Sequence, residues 1–230
     1  MCDHIDDPGL RTASGGRDYD EMYADFLHRA DPSLRTRAYD VVGGELPADP
    51  DECDGWIITG ARHDAYRDEP WIVELRAFIA RLYEARSRTV GVCFGHQVVA
   101  HALGGSAANA GEWRAGPQEL NVESTQWFAG GNVWLHAMHQ DVAAELPPDA
   151  TTIGIGSTAA HPIYLVGESI LCVQDHPEYE PAYISALIEA RRGRLGDELT
   201  EDALVRVGSI DTDNSTVGHW IVDFLLDHRS

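Results

Sequence analysis

One cysteine of this chain lies where a strand pattern gives way to a helix pattern. Residues 90–97 read VGVCFGHQ, so Cys93 has Gly91 two residues before it and Gly95 two residues after it. Such a strand-to-helix corner is sharp and holds its central side chain at the carboxyl edge of a parallel sheet. The amino terminus of the following helix lowers the pKa of a thiol there and favours the thiolate. We therefore predict that Cys93 is a nucleophile; the alternative is a small buried hydrophobic residue that ends a core strand.

A base for that nucleophile is offered by the segment QDHPEY. This segment follows the apolar run 170–173 directly, so His176 also lies at the end of a predicted strand. Pro177 keeps the segment extended, and in an extended chain residues two apart point the same way. Glu178 can therefore reach the His176 ring, fix its tautomer and leave the other ring nitrogen to accept the thiol proton. The spacing predicts a triad of these two residues with Cys93.

The elements that must position these residues are predicted from hydrophobic periodicity. From 54 to 103 strand and helix patterns alternate, which implies parallel strands in an α/β fold. From about 118 to 174 short β-rich runs replace that pattern. We expect one domain over residues 1–230, with a mostly parallel central sheet flanked by helices in flavodoxin-like layers and an added β-rich region. The predicted strands are 56–59, 89–93, 133–138, 151–155, 163–166 and 170–173, and the predicted helices are one beginning at Pro70 and those at 95–103, 181–192, 200–207 and 216–226.

Composition limits the partners of the protein. The formal net charge is −21, and all 17 basic residues are arginine. An acid-rich surface of this kind repels nucleic acid and anionic membranes, so we expect neither as a partner. No apolar run approaches the roughly 20 residues of a membrane-spanning helix, and the first ten residues do not resemble a signal peptide, so we expect a cytoplasmic protein. The lack of lysine fits either life at high salt or a codon bias toward arginine, and both stay open.

Two further patterns predict no ligand. The cysteines at positions 2, 53, 93 and 172 form no CxxC pair and no Cys/His spacing typical of zinc, so we expect neither a disulfide framework nor a bound metal, and no cofactor. The segment SGGRD at 14–18 imitates a phosphate-binding loop. Because no strand pattern precedes it, we expect no phosphate site there.

Together, GVCFGHQ and QDHPEY resemble the class I, triad-type glutamine amidotransferases, whose motifs read G-x-C-x-G-x-Q and H-P-E. The segments DGWIITGARHDAY, WLHAMHQDVAAELPPDA and ARRGRLGDEL resemble stand-alone members that are similar to the glutaminase domain of GMP synthetase. The resemblance runs from about residue 19 to the last predicted helix. It implies the fold of that family and hydrolysis of a γ-glutamyl amide through a thioester on Cys93, with His176 as base and then acid and Glu178 as its orienting partner.

The resemblance also implies an oxyanion hole. One donor would be the backbone amide of Phe94, and the other would come from the loop after an earlier strand, where Gly60 and Ala61 are the candidates. Two such donors could supply several kcal/mol of transition-state stabilisation. Family members often have glycine followed by proline in that loop, whereas this chain has Ala61 and Arg62, so the choice between the two amides stays open.

Substrate contacts are implied for three residues. Gln97 matches a family glutamine that contacts the substrate, with an ordinary helix residue as the alternative. Met138 and His139 match a strand-end segment whose backbone holds the amino-acid end of the substrate. His139 and Asp141 also match a family H-x-D pattern, which we expect to be structural or to face the acceptor. The unassigned histidines are His96, His101, His136 and His161.

The start of the chain departs from the family pattern. Family members open with a short apolar strand before the segment that matches CDHI at 2–5, whereas this sequence begins at Met1. We expect either a start site chosen too far downstream or a sheet that is one strand short. A missing inner strand would expose unpaired backbone and favour instability or association.

The sequence leaves several candidate functions to compare. Glutamine hydrolysis would hand ammonia to a separate synthetase, whereas γ-glutamyl peptidase activity on a peptide or conjugate would need no partner. A hydrolase similar to the DJ-1/PfpI group shares the cysteine corner but lacks the HPE motif, which argues against it. A non-catalytic binding module would usually lack a triad member, and all three are present.

Overall fold

The computed structural model describes residues 1–157 and 159–228. At its centre is a seven-stranded sheet with the order β1-β2-β7-β6-β5-β3-β4. The strands are β1 (Gly55–Ile58), β2 (Arg88–Val92), β3 (Ser106–Val122), β4 (Gly131–Glu145), β5 (Ala150–Gly156), β6 (Ile163–Val166) and β7 (Ile170–Val173). The helices are α1 (Pro8–Ala13), α2 (Tyr19–Ala30), α3 (Pro70–Ala85), α4 (Phe94–Ala102), α5 (Pro181–Ala190), α6 (Arg192–Leu195), α7 (Asp197–Val207) and α8 (Asn214–Leu225), with a 3-10 helix at Pro50–Glu52.

Parallel pairing is confined to one side of this sheet. Strands β1, β2 and β7 are parallel neighbours, whereas the other four pairings are antiparallel. The α/β fold with flanking helices and an added β-rich region is confirmed, but the expectation of a mostly parallel sheet was wrong. Strand pairs β3–β4, β5–β6 and β6–β7 are neighbours joined by short connections, whereas parallel neighbours require a crossover of a dozen or more residues. These three pairs must therefore be antiparallel.

The predicted strands lie within the observed ones or differ from them by one residue at each end, but one strand was missed. Strand β3 has 17 residues and reads SAANAGEWRAGPQELNV, with little of the alternation that marks a strand in sequence. It forms because it pairs along most of its length with β4, which extends well beyond the predicted 133–138. Helices α1 and α2 were also missed. The SGGRD segment ends at Asp18, which caps α2 in a capping box with Glu21.

Helices cover both faces of the parallel strands. Side chains of β7 alternate between the two faces, as the pleat of a strand requires. Ile170 and Cys172 pack with α3 and α4, whereas Leu171 and Val173 pack with α2 and α8. A third apolar cluster joins α5 and α7 to β3 and β4. None of the helices in the described ranges is long and apolar enough to cross a membrane.

The first six residues form no helix or strand in the structure. They are nevertheless tied to the sheet, because the amide of Cys2 donates to the hydroxyl of Thr59 at 2.8 Å. The amino group of Met1 donates to the carbonyl of Tyr39 at 2.9 Å. In the described part of the chain β1 has β2 as its strand neighbour on one side and no strand on the other. Both explanations for the missing first strand, a start site chosen too far downstream and a sheet that is one strand short, stay predictions.

Candidate active site

The corner between β2 and α4 holds Cys93 in a strained conformation. Its φ is 52° and its ψ is −102°, a combination that residues with a side chain rarely adopt. The flanking glycines are required by close packing of backbone. A Cβ added at Gly95 would lie 2.1 Å from the carbonyl oxygen of Ile58, and one added at Gly91 would lie 2.7 Å from the carbonyl of Gly95. The predicted corner is confirmed, and it is tight because β1, β2 and α4 meet there.

The thiol lies at the amino terminus of a nine-residue helix. Helix α4 begins at Phe94, and the side chain of Cys93 makes no capping hydrogen bond to it. The first amides of a helix have no partner inside the helix and carry its positive dipole end. Cys93 is only 6% exposed, so this partial charge acts in a shielded place. The Phe94 amide can therefore donate a hydrogen bond to a negatively charged group that forms beside the sulfur.

His176 and Glu178 form a buried hydrogen-bonded pair. Nδ1 of His176 lies 2.7 Å from Oε1 of Glu178, and the backbone amide of His176 donates to the carbonyl of His136 at 2.8 Å. The Tyr179 ring stacks on the imidazole at 4.0 Å between centroids and an angle of 4°. Burial by itself lowers the pKa of His176, but the charges of Glu178 and then Cys93 outweigh it and raise the pKa above its ordinary value. The site therefore favours an imidazolium beside the Cys93 sulfur.

Three neighbouring strand ends bring these groups together. Gly60 follows β1, Cys93 follows β2 and His176 follows β7, and these strands are adjacent in the sheet. A Cβ added at Gly60 would lie 2.8 Å from Cε1 of His176 and 3.6 Å from Cβ of Cys93. The loop with Gly60 and Ala61 thus packs directly against the other two groups, where an oxyanion donor has to be. The choice between these two amides stays a prediction.

An interaction that the sequence did not reveal fixes this loop. Asp3 is 4% exposed, and its carboxylate accepts the Arg62 backbone amide at 2.8 Å. The Arg62 guanidinium donates back to Asp3, with Nε 2.8 Å from Oδ1. Together with the hydrogen bond from Cys2 to Thr59, these contacts hold both ends of the loop from the amino-terminal segment. No local pattern could have predicted this, because the partners are 59 positions apart.

The three residues expected to contact substrate are buried beside the site. Gln97 is 3% exposed, and its side-chain amide donates to the carbonyl of Asp141 at 2.7 Å. Met138 and His139 lie inside β4, so the expectation that they end a strand was wrong, because pairing with β3 continues past them. Nε2 of His139 lies 3.2 Å from Oδ1 of buried Asp175. These contacts are internal to the protein, and substrate contact by these residues stays a prediction.

His136 is a functional candidate that the sequence left unassigned. It is 1% exposed, and neither ring nitrogen has a hydrogen-bond partner among the described residues. Burial, and then the nearby charge of His176, lower the pKa of His136 to about 4. His96 by contrast has one ring nitrogen engaged, with Nε2 2.7 Å from the carbonyl of His161, although its Nδ1 has no partner among the described residues. Within the described ranges, no group of three or more His, Cys, Asp or Glu side chains could hold a metal ion.

Comparisons with known proteins identify the family. The profile of "Glutamine amidotransferase class-I" matches residues 33–188. Gamma-glutamyl peptidase 4 of Arabidopsis thaliana is 32% identical over 166 residues, which are 66% of this chain and 65% of that protein. A glutamine amidotransferase-like protein of Schizosaccharomyces pombe is 27% identical over 97% of both chains.

A solved structure gives independent support for the fold. The crystal structure of a glutamine amidotransferase from Methylobacillus flagellatus superimposes with a TM-score of 0.70 at 20% identity and covers 89% of this chain and 88% of that one. The matched profile spans more than half of the chain and includes the cysteine corner and the HPE segment. The resemblance predicted from those two motifs is therefore confirmed, and this chain belongs to the class I glutamine amidotransferase family.

Proposed function

We propose that this protein hydrolyses a γ-glutamyl amide through a thioester on Cys93 and that residues 1–230 act as one domain. The observation that carries the proposal is the buried pair of His176 and Glu178 at the strand end next to the Cys93 corner. A hydrogen-bonded carboxylate supports the imidazolium, and the imidazolium supports the thiolate. The relatives named gamma-glutamyl peptidase and glutamine amidotransferase favour the same bond as the target.

The proposed reaction has two steps. In the first, the Cys93 sulfur attacks the γ-carbonyl carbon, the C–S bond forms, and the Phe94 amide with that of Gly60 or Ala61 holds the oxyanion. The imidazolium of His176 then gives its proton to the leaving nitrogen as the C–N bond breaks. In the second step, neutral His176 accepts a proton from water, whose oxygen attacks the thioester. The C–S bond then breaks, which returns the Cys93 sulfur as thiolate beside the re-formed His176 imidazolium, and the products are an amine and a γ-carboxylic acid that ionises in water.

Two leaving groups are compatible with this chemistry. If the substrate is glutamine, the product is ammonia, and a separate synthetase would have to consume it. If the substrate is a γ-glutamyl peptide or conjugate, the amine leaves without a partner protein. The second candidate is favoured by the relatives that are named gamma-glutamyl peptidases, four of which align with this chain. The cytoplasmic location expected from the sequence is part of either proposal.

Purified protein incubated in parallel with glutamine and with glutathione tests the proposal. We expect glutamate release from at least one of them, and the faster one identifies the leaving group. Mass spectrometry of protein quenched during turnover should find a glutamyl group on Cys93. Cys93→Ala should abolish both signals, whereas Cys53→Ala, which alters a half-buried cysteine packed against the core, should retain them. Full activity of Cys93→Ala on both substrates would exclude the mechanism.

A further inference from the structure

Helix α2 places a phenol against the triad. Tyr23 is 5% exposed and packs in the same apolar cluster as Cys93. Its hydroxyl lies close enough to Glu178, Cys93 and Gly60 for these groups to act on it electrostatically. Helix α2 lies before residue 33, outside the region that the family profile matches. Tyr23 is thus an addition to the site that the two family motifs could not reveal.

Two buried polar atoms near each other are left without partners. The hydroxyl of Tyr23 and Oε2 of Glu178 have no hydrogen bond of standard geometry to any described residue. Oε1 of the same carboxylate is engaged by His176 at 2.7 Å. A buried carboxylate oxygen without a donor costs about 1 to 3 kcal/mol or more, and so does a buried hydroxyl without an acceptor. A hydrogen bond from this hydroxyl to this carboxylate oxygen would remove both costs.

The phenol is suited to be the donor in this pair. Burial, and then the charge of Glu178, raise the pKa of Tyr23 well above its ordinary value. The hydroxyl therefore keeps its proton wherever the enzyme can work. The carboxylate, which accepts from His176 on one oxygen, has free lone pairs on the other.

We propose that Tyr23 is a positioning residue whose hydroxyl donates to Oε2 of Glu178 and so keeps Oε1 directed at Nδ1 of His176. The role deepens the function proposed above and rests on it, because it assigns the support of the triad acid to a helix outside the matched region. Tyr23 acts on the reaction through the carboxylate and the imidazole.

Tyr23→Phe tests the role, since it removes one oxygen and keeps the ring in the core. Without this donor Oε1 is directed less firmly at Nδ1, so Glu178 supports the His176 imidazolium less and the pKa of His176 falls toward its ordinary value. The Cys93 sulfur then has less positive charge beside it. We expect the acid limb of the Cys93 alkylation rate with iodoacetamide to move up by about 1 pH unit. We expect kcat to fall about tenfold, with KM changed less than about twofold.

Tyr39→Phe is the matched control. Tyr39 is also buried and donates to a carboxylate, that of Glu52 at 2.8 Å, but neither belongs to the site. This variant should leave the acid limb and kcat unchanged. The alkylation is followed by mass spectrometry of the peptide that contains Cys93, so the other cysteines do not contribute.

The outcomes separate the two proposals. An acid limb and a kcat of Tyr23→Phe that equal those of the unaltered protein would overturn the positioning role, and so would an equal shift in Tyr39→Phe. Alkylation needs no substrate. If the unaltered protein cleaves no γ-glutamyl compound while Tyr23→Phe still shifts the acid limb, the proposed function fails and the role of Tyr23 stands.

Discussion

The two sides of the sheet contribute to the site in different ways. The parallel strands β1, β2 and β7 are short, and each is followed within about three residues by a residue of the site: Gly60, Cys93 or His176. The antiparallel strands β3 and β4 are long, with 17 and 15 residues. These strands support the site, because the carbonyl of His136 in β4 accepts a hydrogen bond from the backbone amide of His176 at 2.8 Å.

The difference follows from strand direction. Parallel neighbours end at the same edge of a sheet, so residues that follow them converge without long loops. Antiparallel neighbours end at opposite edges, and their side chains can reach a common site only from within the strands. The parallel side therefore carries the chemistry, and the antiparallel side supports it. Substitutions on the two sides should accordingly differ in their effects.

The largest effect is expected on the parallel side, at the triad acid. Glu178→Gln removes the charge that supports the His176 imidazolium, so kcat should fall on the order of 10⁴-fold, as loss of a triad carboxylate does elsewhere. Steady-state kinetics with the better γ-glutamyl substrate measures it. Glu119→Gln makes the same change at an exposed position in β3 and should leave kcat unchanged. If Glu178→Gln and Glu119→Gln were equally active, the parallel side would not carry the chemistry.

A substitution at the Cys93 corner should reduce activity almost as much, because the backbone is closely packed there. In Gly95→Ala the new methyl would meet the carbonyl oxygen of Ile58 at 2.1 Å, and this oxygen belongs to the backbone, which cannot turn away as the end of a side chain can. We expect the free energy of unfolding to fall by about 3 kcal/mol or more and activity to be lost. Gly193→Ala is the control, because its Cβ would meet nothing within 4 Å in an exposed helix. Denaturant unfolding curves that shift equally would show that the corner has room to relax.

On the antiparallel side, His136 should make stability depend on pH. Its pKa is lowered to about 4 in the folded protein, against an ordinary value of 6.5, so the unfolded chain takes up the proton first. Stability is therefore lost as the pH falls from 6.5 toward 4, by up to about 3 kcal/mol. His136→Leu removes that titration and should reduce the loss between pH 7 and pH 4 measured by denaturant unfolding. An unchanged loss would mean that other groups cause the acid sensitivity.

The two sides of the sheet also differ in how well they could be predicted from the sequence. The parallel side was predictable because short apolar strands, glycine spacing and the HPE segment are local patterns. Strand β3 was missed because its residues are held by pairing with β4 and carry no alternation of their own. Tyr23 and Asp3 were missed because their partners are distant in the chain, and nothing near either residue marks it. Long-range contacts of this kind appear only in the folded structure.

The smallest effect is expected where the amino-terminal segment supports the parallel side. Asp3→Asn removes the charge that holds the Arg62 amide and guanidinium, so the Gly60 loop loses its anchor and kcat should fall about tenfold, with KM changed little. Asp6→Asn is a matched control, because Asp6 pairs with the same guanidinium but has a side chain that is 73% exposed, where ion pairs contribute little. Kinetics of both variants decides the matter. If they lose activity equally, the exposed pair and not buried Asp3 holds the loop, and the support of the parallel side does not depend on burial.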